Sequence, residues 1–197
     1  MQAARGASLT DSDPQSRTGP PAPSRKQRHL LLFAGVAVVG YLADLGTKVL
    51  AVAHLEPGDP VWVVDDLFSF YIARNPGAAF STGTSYTLLL SCIAIIAACA
   101  VLWVARRLGS TGWALGLGFL LAGVLGNLTD RIFRSPGVLE GHVVDFLRLP
   151  SFPVFNVADI CINIAAATIV VQAVRGMGVD GTRQHKHAGA DPEAPAR

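Results

Sequence analysis

Ionisable side chains recur within or beside the most apolar stretches of this chain of 197 residues. Asp44 and Lys48 interrupt the first stretch, whereas Asp145 and Asp159 each lie among apolar neighbours. A charged side chain in the middle of a membrane span costs about 2.5–3.5 kcal/mol on insertion scales, so each such group is a candidate functional residue. These charged groups are therefore the first candidates for the functional residues of this protein.

Paired carboxyl groups offer one specific chemistry. Two carboxyl groups in an apolar setting cannot both ionise easily, so one keeps its proton while the other does not. The ionised group can take a proton from water while the protonated group polarises the carbonyl under attack. Asp159 is one candidate, since no cation lies within four residues of it and a helix start near it supplies amides. Spacing leaves Asp145, Asp130 and Asp44 open as its partner.

Two other pairings favour structural roles. Asp44 and Lys48 are four residues apart, so they can form an ion pair on one face of a helix. Asp130 and Arg131 predict a second ion pair, which would end the third helix at the membrane interface. We therefore expect these charges to neutralise one another rather than to react.

Histidine and cysteine give no metal-binding pattern. His54 and His142 are far apart in the sequence, and no His-x-x-x-His or comparable ligand spacing is present. All three cysteines lie in apolar stretches, where a thiol stays protonated and packs as a small apolar group. The sequence therefore predicts neither a metal nor a cofactor.

Four apolar stretches long enough to cross a membrane must position these groups. Residues 29–174 hold only 16 charged residues in 146 positions, against about one in four in soluble proteins. This composition disfavours a disordered protein, a disulfide-stapled secreted domain and a nucleic-acid-binding domain. Because a spanning helix needs about 20 apolar residues, we predict spans near 30–53, 86–105, 111–130 and 154–174.

The predicted organisation is a membrane domain at 29–175 between two tails, 1–28 and 176–197, whose composition is typical of disorder. Four spans place both tails on one side, together with eleven Lys and Arg residues, against four on the other side. The positive-inside rule then predicts that both termini are cytoplasmic. The start of the chain also resembles a secretory signal ending at Ala51-Val52-Ala53, but its long leading region and two interrupting charges disfavour cleavage.

Two segments then face outward, 54–85 and 131–153. Within 60–75, β-branched and aromatic residues flank the turn-forming pair Asp65-Asp66, which predicts a hairpin or small sheet at the membrane surface. The second segment contains three prolines and is predicted to be a loop. Under this topology the polar groups of the spans all lie near the outer face, which predicts a single polar site there.

Five blocks in the sequence carry a resemblance to a known family. They are DLGTK (44–48), RNPGAAFS (74–81), GNLTDR (126–131), VVDF (143–146) and FNVAD (155–159). In this order they resemble the signature of the lipoprotein signal peptidases, also called signal peptidase II. The resemblance covers 41–165, nearly the whole predicted membrane core.

The resemblance implies an all-α membrane protein with four transmembrane helices, a small extracytoplasmic β-element and loop, and cytoplasmic termini. It implies an aspartic endopeptidase of the bacterial inner membrane, with its active site at the outer face. The implied substrates are prolipoproteins that already carry diacylglycerol, cut just before the lipidated cysteine. Membrane lipid is the implied surrounding, and globomycin the implied inhibitor.

The resemblance also implies which residues act. Its two catalytic aspartates correspond to Asp145 and Asp159, which selects Asp145 from the three candidates that spacing left open. Its supporting residues correspond to Asp44, Lys48, Asn75, Gly77, Asn127, Asp130, Arg131 and Asn156. The alternative function is a small proton- or ion-coupled transporter. A transporter needs polar groups at both faces or at the midplane, whereas here the inner halves of the spans are apolar.

Overall fold

The computed structural model describes residues 24–77 and 85–183. In chain order, the elements are α1 (Arg25–His54), β1 (Val61–Val64), β2 (Phe68–Asn75), α2 (Ser85–Ala105), α3 (Thr111–Phe133), β3 (Val143–Arg148) and α4 (Val157–Val174). Within these residues, four helices are long and apolar enough to cross a membrane, which confirms the predicted four-span fold. The described residues do not include 1–23 and 184–197 of the predicted tails, or 78–81 of the RNPGAAFS block.

The helix ends differ from the predicted spans because capping residues fix them. α1 begins at Arg25, within the predicted N-terminal tail, because Ser24 and Gln27 form a capping box. The Gln27 amide donates to Ser24 Oγ at 3.3 Å, and the Ser24 amide donates to Gln27 Oε1 at 2.7 Å. α4 begins three residues after its predicted start, because Asn156 caps it.

α3 packs against each of the other three helices and therefore organises the bundle. Small residues allow this close approach. A Cβ atom at Gly118 would lie 3.0 Å from the backbone oxygen of Phe33 on α1. The apolar core surrounds the N-terminal half of α3 and is formed by Phe33, Ala37, Ala98, Val101, Ala105, Leu108, Ala114, Leu117, Leu121 and Val124.

A three-stranded antiparallel sheet, in the order β1-β2-β3, lies at one end of the bundle. We name this the outer end, because the sequence predicts that it faces outward. The first two strands of the sheet confirm the predicted hairpin. The prediction that 131–153 is a loop is wrong over Val143–Arg148, which pair with β2. The prolines lie on either side of these residues, at positions where no ladder hydrogen bond is lost. Val143 and Val144 were the available signal, since β-branched residues favour strands.

The opposite end of the bundle is closed by residues 176–183, which belong to the predicted C-terminal tail. The Gly109 amide donates to the Val179 carbonyl at 2.9 Å. Trp113 Nε1 donates to the Met177 carbonyl at 2.7 Å. This segment is therefore a turn packed against the connection between α2 and α3.

Candidate active site

Lys48 lies at the centre of a buried polar cluster at the outer end of the bundle. Its side chain is 1% exposed. Its Nζ atom lies 2.8 Å from Asp44 Oδ2 and 3.0 Å from Asp130 Oδ2, and it donates to Asn127 Oδ1 at 3.0 Å. The predicted ion pair between Asp44 and Lys48 is confirmed. The Lys48 ammonium group also contacts Asp130 and Asn127, so it connects α1 to α3.

The predicted ion pair between Asp130 and Arg131 is wrong. The Asp130 carboxylate contacts Lys48 and Arg134, and it accepts a hydrogen bond from the Val144 amide at 3.1 Å. Arg131 instead donates through Nη1 to the Pro76 carbonyl at 3.5 Å. Neighbouring residues on a helix do not face one another, so the two side chains point to different partners.

Asn127 connects the buried cation to the start of α4. Its Oδ1 atom accepts from Lys48 and also from Asn156 Nδ2, the latter at 3.1 Å. Both donors therefore hold its amide in one orientation, with Nδ2 directed away from them. This Nδ2 atom donates to Asp159 Oδ1 at 3.0 Å. Lys48 thus orients Asp159 without touching it.

The first turn of α4 holds Asp159 through a reciprocal cap. The Asp159 amide donates to Asn156 Oδ1 at 3.0 Å, and the Asn156 amide donates to Asp159 Oδ2 at 3.1 Å. The neighbouring Ala158 amide donates to Asp44 Oδ1 at 2.8 Å. Helix amides here favour negative charge, so this helix start holds two carboxylates by their oxygen atoms.

Asp145 lies on β3 and is 2% exposed. Its Oδ2 atom accepts from Asn75 Nδ2 at 2.9 Å, and its Oδ1 atom accepts from Asn156 Nδ2 at 2.6 Å. Burial raises the pKa of Asp145 to about 6. The amide of Asn75 lowers this pKa and the charge of Asp159 raises it. Asn156 contacts both carboxylates: its side-chain amide donates to Asp145, and its backbone amide donates to Asp159.

Two apolar cavities begin beside this cluster. One, of about 360 Å³, lies between the end of α1 and the sheet, and Phe146, the neighbour of Asp145, lines it. The other, of about 590 Å³, is a groove between α1 and α4. Ala43 and Ile160, the neighbours of Asp44 and Asp159, line it. The polar cluster is therefore bordered by apolar space towards α4 and under the sheet.

Comparison with known proteins identifies the family. Residues 36–175 match the family model described as signal peptidase (SPase) II. The chain belongs to the signal peptidase II family. This membership makes the cluster a candidate active site of a membrane-embedded peptidase.

Individual relatives agree with this assignment. The chain is 51% identical to a lipoprotein signal peptidase of Rhodococcus jostii, over 88% of this chain and 87% of that protein. It is 46% identical to one from Mycobacterium avium, over 89% and 97%. A solved structure described as a bacterial membrane enzyme has a TM-score of 0.63 at 25% identity, covering 75% of this chain and 93% of its own.

In this signal peptidase II family member, contacts connect all ten predicted site residues. Eight of them join through direct side-chain hydrogen bonds or ion pairs: Asp44, Lys48, Asn75, Asn127, Asp130, Asp145, Asn156 and Asp159. The Gly77 amide donates to Asn75 Oδ1 at 2.7 Å. A Cβ atom at Gly77 would lie 2.9 Å from Arg131 Nη2, so this glycine leaves room for the guanidinium. The catalytic and supporting roles of these residues stay predictions.

Sequence reasoning missed two hydroxyl groups on α2. Thr87 Oγ1 donates to the Pro76 carbonyl at 2.6 Å, and Ser91 Oγ donates to the Leu139 carbonyl at 2.6 Å. Both side chains are buried. The available signal was their spacing, since two hydroxyls four residues apart in an otherwise apolar helix lie on one face. That face contacts the connection between β2 and α2 at Pro76, and the connection between α3 and β3 at Leu139.

Proposed function

We propose that this chain cleaves the signal peptide from diacylglyceryl-modified prolipoproteins, just before the lipidated cysteine, with Asp145 and Asp159 as its catalytic pair. The relatives are lipoprotein signal peptidases, which supports the substrate class. The observation that carries the assignment of residues is that the Asn156 side chain contacts both Asp145 and Asp159. Asp145 of β3 and Asp159 of α4 therefore lie beside the same side chain.

The proposed chemistry needs one proton on the pair. The ionised carboxylate takes a proton from a water molecule, and the resulting hydroxide attacks the carbonyl carbon of the scissile peptide bond. The protonated carboxyl group donates to the carbonyl oxygen as negative charge develops there. The carbon–nitrogen bond then breaks, and the leaving nitrogen receives a proton from the pair. The raised pKa of Asp145 supports its role as the carboxyl group that holds the proton.

Apolar space beside the pair supports a lipid-modified substrate. Such a substrate moves within the bilayer, so its scissile bond lies near the membrane surface. We propose that the groove between α1 and α4 and the cavity under the sheet accept the apolar parts of the substrate. A substrate without diacylglycerol would leave this apolar space unfilled.

We further propose that the protein lies in the bacterial inner membrane with both termini in the cytoplasm and the site at the outer face. The excess of Lys and Arg on the terminal side supports this orientation. A reporter fused after Leu108, in the connection between α2 and α3, should report a cytoplasmic position. An outside position there would overturn the orientation.

Cleavage by purified protein tests the function. Lipid-modified and unmodified prolipoprotein are compared side by side, and only the modified one should be cut efficiently. Asp145→Asn and Asp159→Asn should each lower kcat by about 10²–10⁴-fold, because each removes one acid–base group. Globomycin should inhibit the unaltered protein.

Asp180→Asn is the matched control, because this exposed carboxylate lies on the turn at the opposite end. It should cleave at the unaltered rate. If Asp145→Asn or Asp159→Asn is inserted in the membrane and still cleaves normally, the catalytic pair is wrong. Equal cleavage of both substrates would overturn the requirement for lipid.

A further inference from the structure

α2 contributes two buried hydroxyl groups to the outer end of the bundle, although it has no Asp, Glu, Lys, Arg or His. Thr87 is 2% exposed and Ser91 is fully buried. A buried hydroxyl is costly unless it makes a hydrogen bond. Ser91 Oγ lies within hydrogen-bonding distance of the Thr87 carbonyl of its own helix as well as of Leu139. Thr87 Oγ1 instead donates to another part of the chain, the carbonyl of Pro76.

The Thr87 hydroxyl holds the turn that carries Asn75. The Pro76 carbonyl accepts a hydrogen bond from Thr87 Oγ1 at 2.6 Å and another from Arg131 Nη1 at 3.5 Å. The next residue, Gly77, has a φ of 85° and donates its amide to Asn75 Oδ1 at 2.7 Å. A left-handed backbone conformation of this kind favours glycine. The turn is therefore anchored to α2 on one side and to α3 on the other.

This turn decides the direction in which the Asn75 amide points. Because Asn75 Oδ1 accepts from the Gly77 amide, its Nδ2 atom is directed to Asp145 Oδ2, at 2.9 Å. An amide has one acceptor oxygen and one donor nitrogen, so fixing the first orients the second. Three hydrogen bonds in series thus connect the hydroxyl of α2 to the carboxylate of β3.

We infer that Thr87 is a positioning residue for the peptidase reaction: through Pro76 and Gly77 it holds the Asn75 amide against Asp145. The inference rests on the proposed function, because it gives Asp145 a catalytic role. Thr87 touches neither carboxylate and acts only through Asn75. Its loss should change the acid–base behaviour of Asp145 more than substrate binding.

Several groups face Asp145 and set the sign of that change. Asn75 of β2 and Asn156 of α4 donate to its carboxylate, whereas Asp159 of α4 brings negative charge towards it. Lys48 of α1 and Arg131 of α3 bring positive charge. The Asn75 contact depends on the turn held by Thr87, and Arg131 also binds this turn, at the Pro76 carbonyl. A weaker Asn75 contact stabilises the carboxylate less, so the pKa of Asp145 rises.

Thr87→Val tests the inference, because it removes the hydroxyl and keeps the branched shape. We expect the limiting kcat at acidic pH, where Asp145 holds its proton, to fall about tenfold because its carboxyl group is held less firmly in position. KM should change little, since the substrate-binding surface is unaltered. The apparent pKa that reports Asp145 in the pH–rate profile should move up, by about one pH unit at most. Thr87→Ser, which keeps a hydroxyl, should restore both.

The matched control is Thr168→Val on α4, where Oγ1 donates to the Ile164 carbonyl of its own helix. It should leave kcat and the pH profile unchanged. In the Asn75→Ala background, Thr87→Val should add almost nothing, because the group through which it acts is absent. Additive losses, or a Thr87→Val profile equal to that of Thr168→Val, would overturn the inference.

Asp145→Asn separates this inference from the proposed function. If Asp145→Asn is inactive and Thr87→Val behaves as the unaltered protein, the inference fails while the catalytic pair stands. If Asp145→Asn cleaves normally, the catalytic pair fails and the role of Thr87 fails with it. Loss of cleavage in Asp145→Asn, together with the lower kcat and the pH shift in Thr87→Val, supports both.

Discussion

The two ends of the helix bundle are held together by different forces. At the outer end, α1, α3 and α4 meet through charges and amides, with Lys48 shared between Asp44 and Asp130. At the other end, helices pack through apolar side chains such as Phe33 and Leu117, and a turn closes the bundle through hydrogen bonds to backbone carbonyls.

This difference shows that one set of contacts fixes the positions of side chains, whereas the other holds the helices together. Apolar contacts have no preferred direction and tolerate side chains of similar volume. Hydrogen bonds between buried charges and amides require a defined donor, acceptor and angle. Burying the charges also costs free energy that the contacts only partly return. The outer end is therefore built for the positions of its groups, and the inner end supplies apolar packing that supports them.

Lys48→Met should break the outer end most severely. It leaves Asp44 and Asp130 buried without their shared cation and releases Asn127, so we expect a loss of about 3–5 kcal/mol in stability and loss of cleavage. Thermal unfolding in detergent and a cleavage assay measure the two effects. Lys26→Met, at the exposed start of α1, is the control and should change neither. An unaltered unfolding temperature for Lys48→Met would contradict the proposed role of the cation.

Leu117→Ala should weaken the inner end without disturbing the site. Leu117 is buried in the apolar core, and truncation of such a leucine costs about 2–5 kcal/mol. The cleavage rate per folded molecule and its pH dependence should stay the same, because Leu117 belongs to the apolar core and not to the polar cluster. The same two assays, normalised to folded protein, measure this. A changed pH profile would show that the two ends are coupled.

The pH dependence of cleavage should report Asp145. Burial raises its pKa to about 6, so ionisation in the free enzyme occurs near that pH. Because the catalytic pair needs one proton, we expect kcat/KM to fall as pH rises through about 6, approaching tenfold per pH unit. The measurement uses substrate well below KM. A flat profile from mildly acidic to neutral pH would contradict the assignment of the proton to Asp145.

A strong chelator should not change the rate of cleavage. Within 24–77 and 85–183, no three His, Cys, Asp or Glu side chains are grouped to hold a metal ion. The carboxylates of the cluster instead contact Lys48, Arg134, or side-chain and backbone amides. Cleavage in metal-free buffer with chelator should therefore equal cleavage without it. Strict dependence on a metal would contradict the carboxylate mechanism.

The sequence predicted much of the fold because its signals are local. Apolar runs of spanning length mark the four helices, although the caps that set the starts of α1 and α4 were not predicted. The pairing of Asp44 with Lys48 followed from a spacing of four residues on one helix. Such features need no knowledge of what packs against them.

Contacts between distant parts of the chain were harder to predict. Asn75 and Asp145 are 70 residues apart, and Lys48 and Asn127 are 79 apart. Spacing does not show which distant residues meet, so the partner of Arg131 was predicted wrongly and Thr87 was missed. The resemblance to a family named most of the residues of the cluster, but not their contacts.

By itself, the sequence determined that this protein spans a membrane four times and carries its polar groups towards one face, because both properties depend on which residue types are adjacent. Only the tertiary structure decided that Asp145 lies on a strand, that one lysine serves two helices, and that a threonine of α2 holds the turn beside Asp145. Those facts depend on packing between elements, where a buried donor binds whichever acceptor the fold brings within about 3 Å.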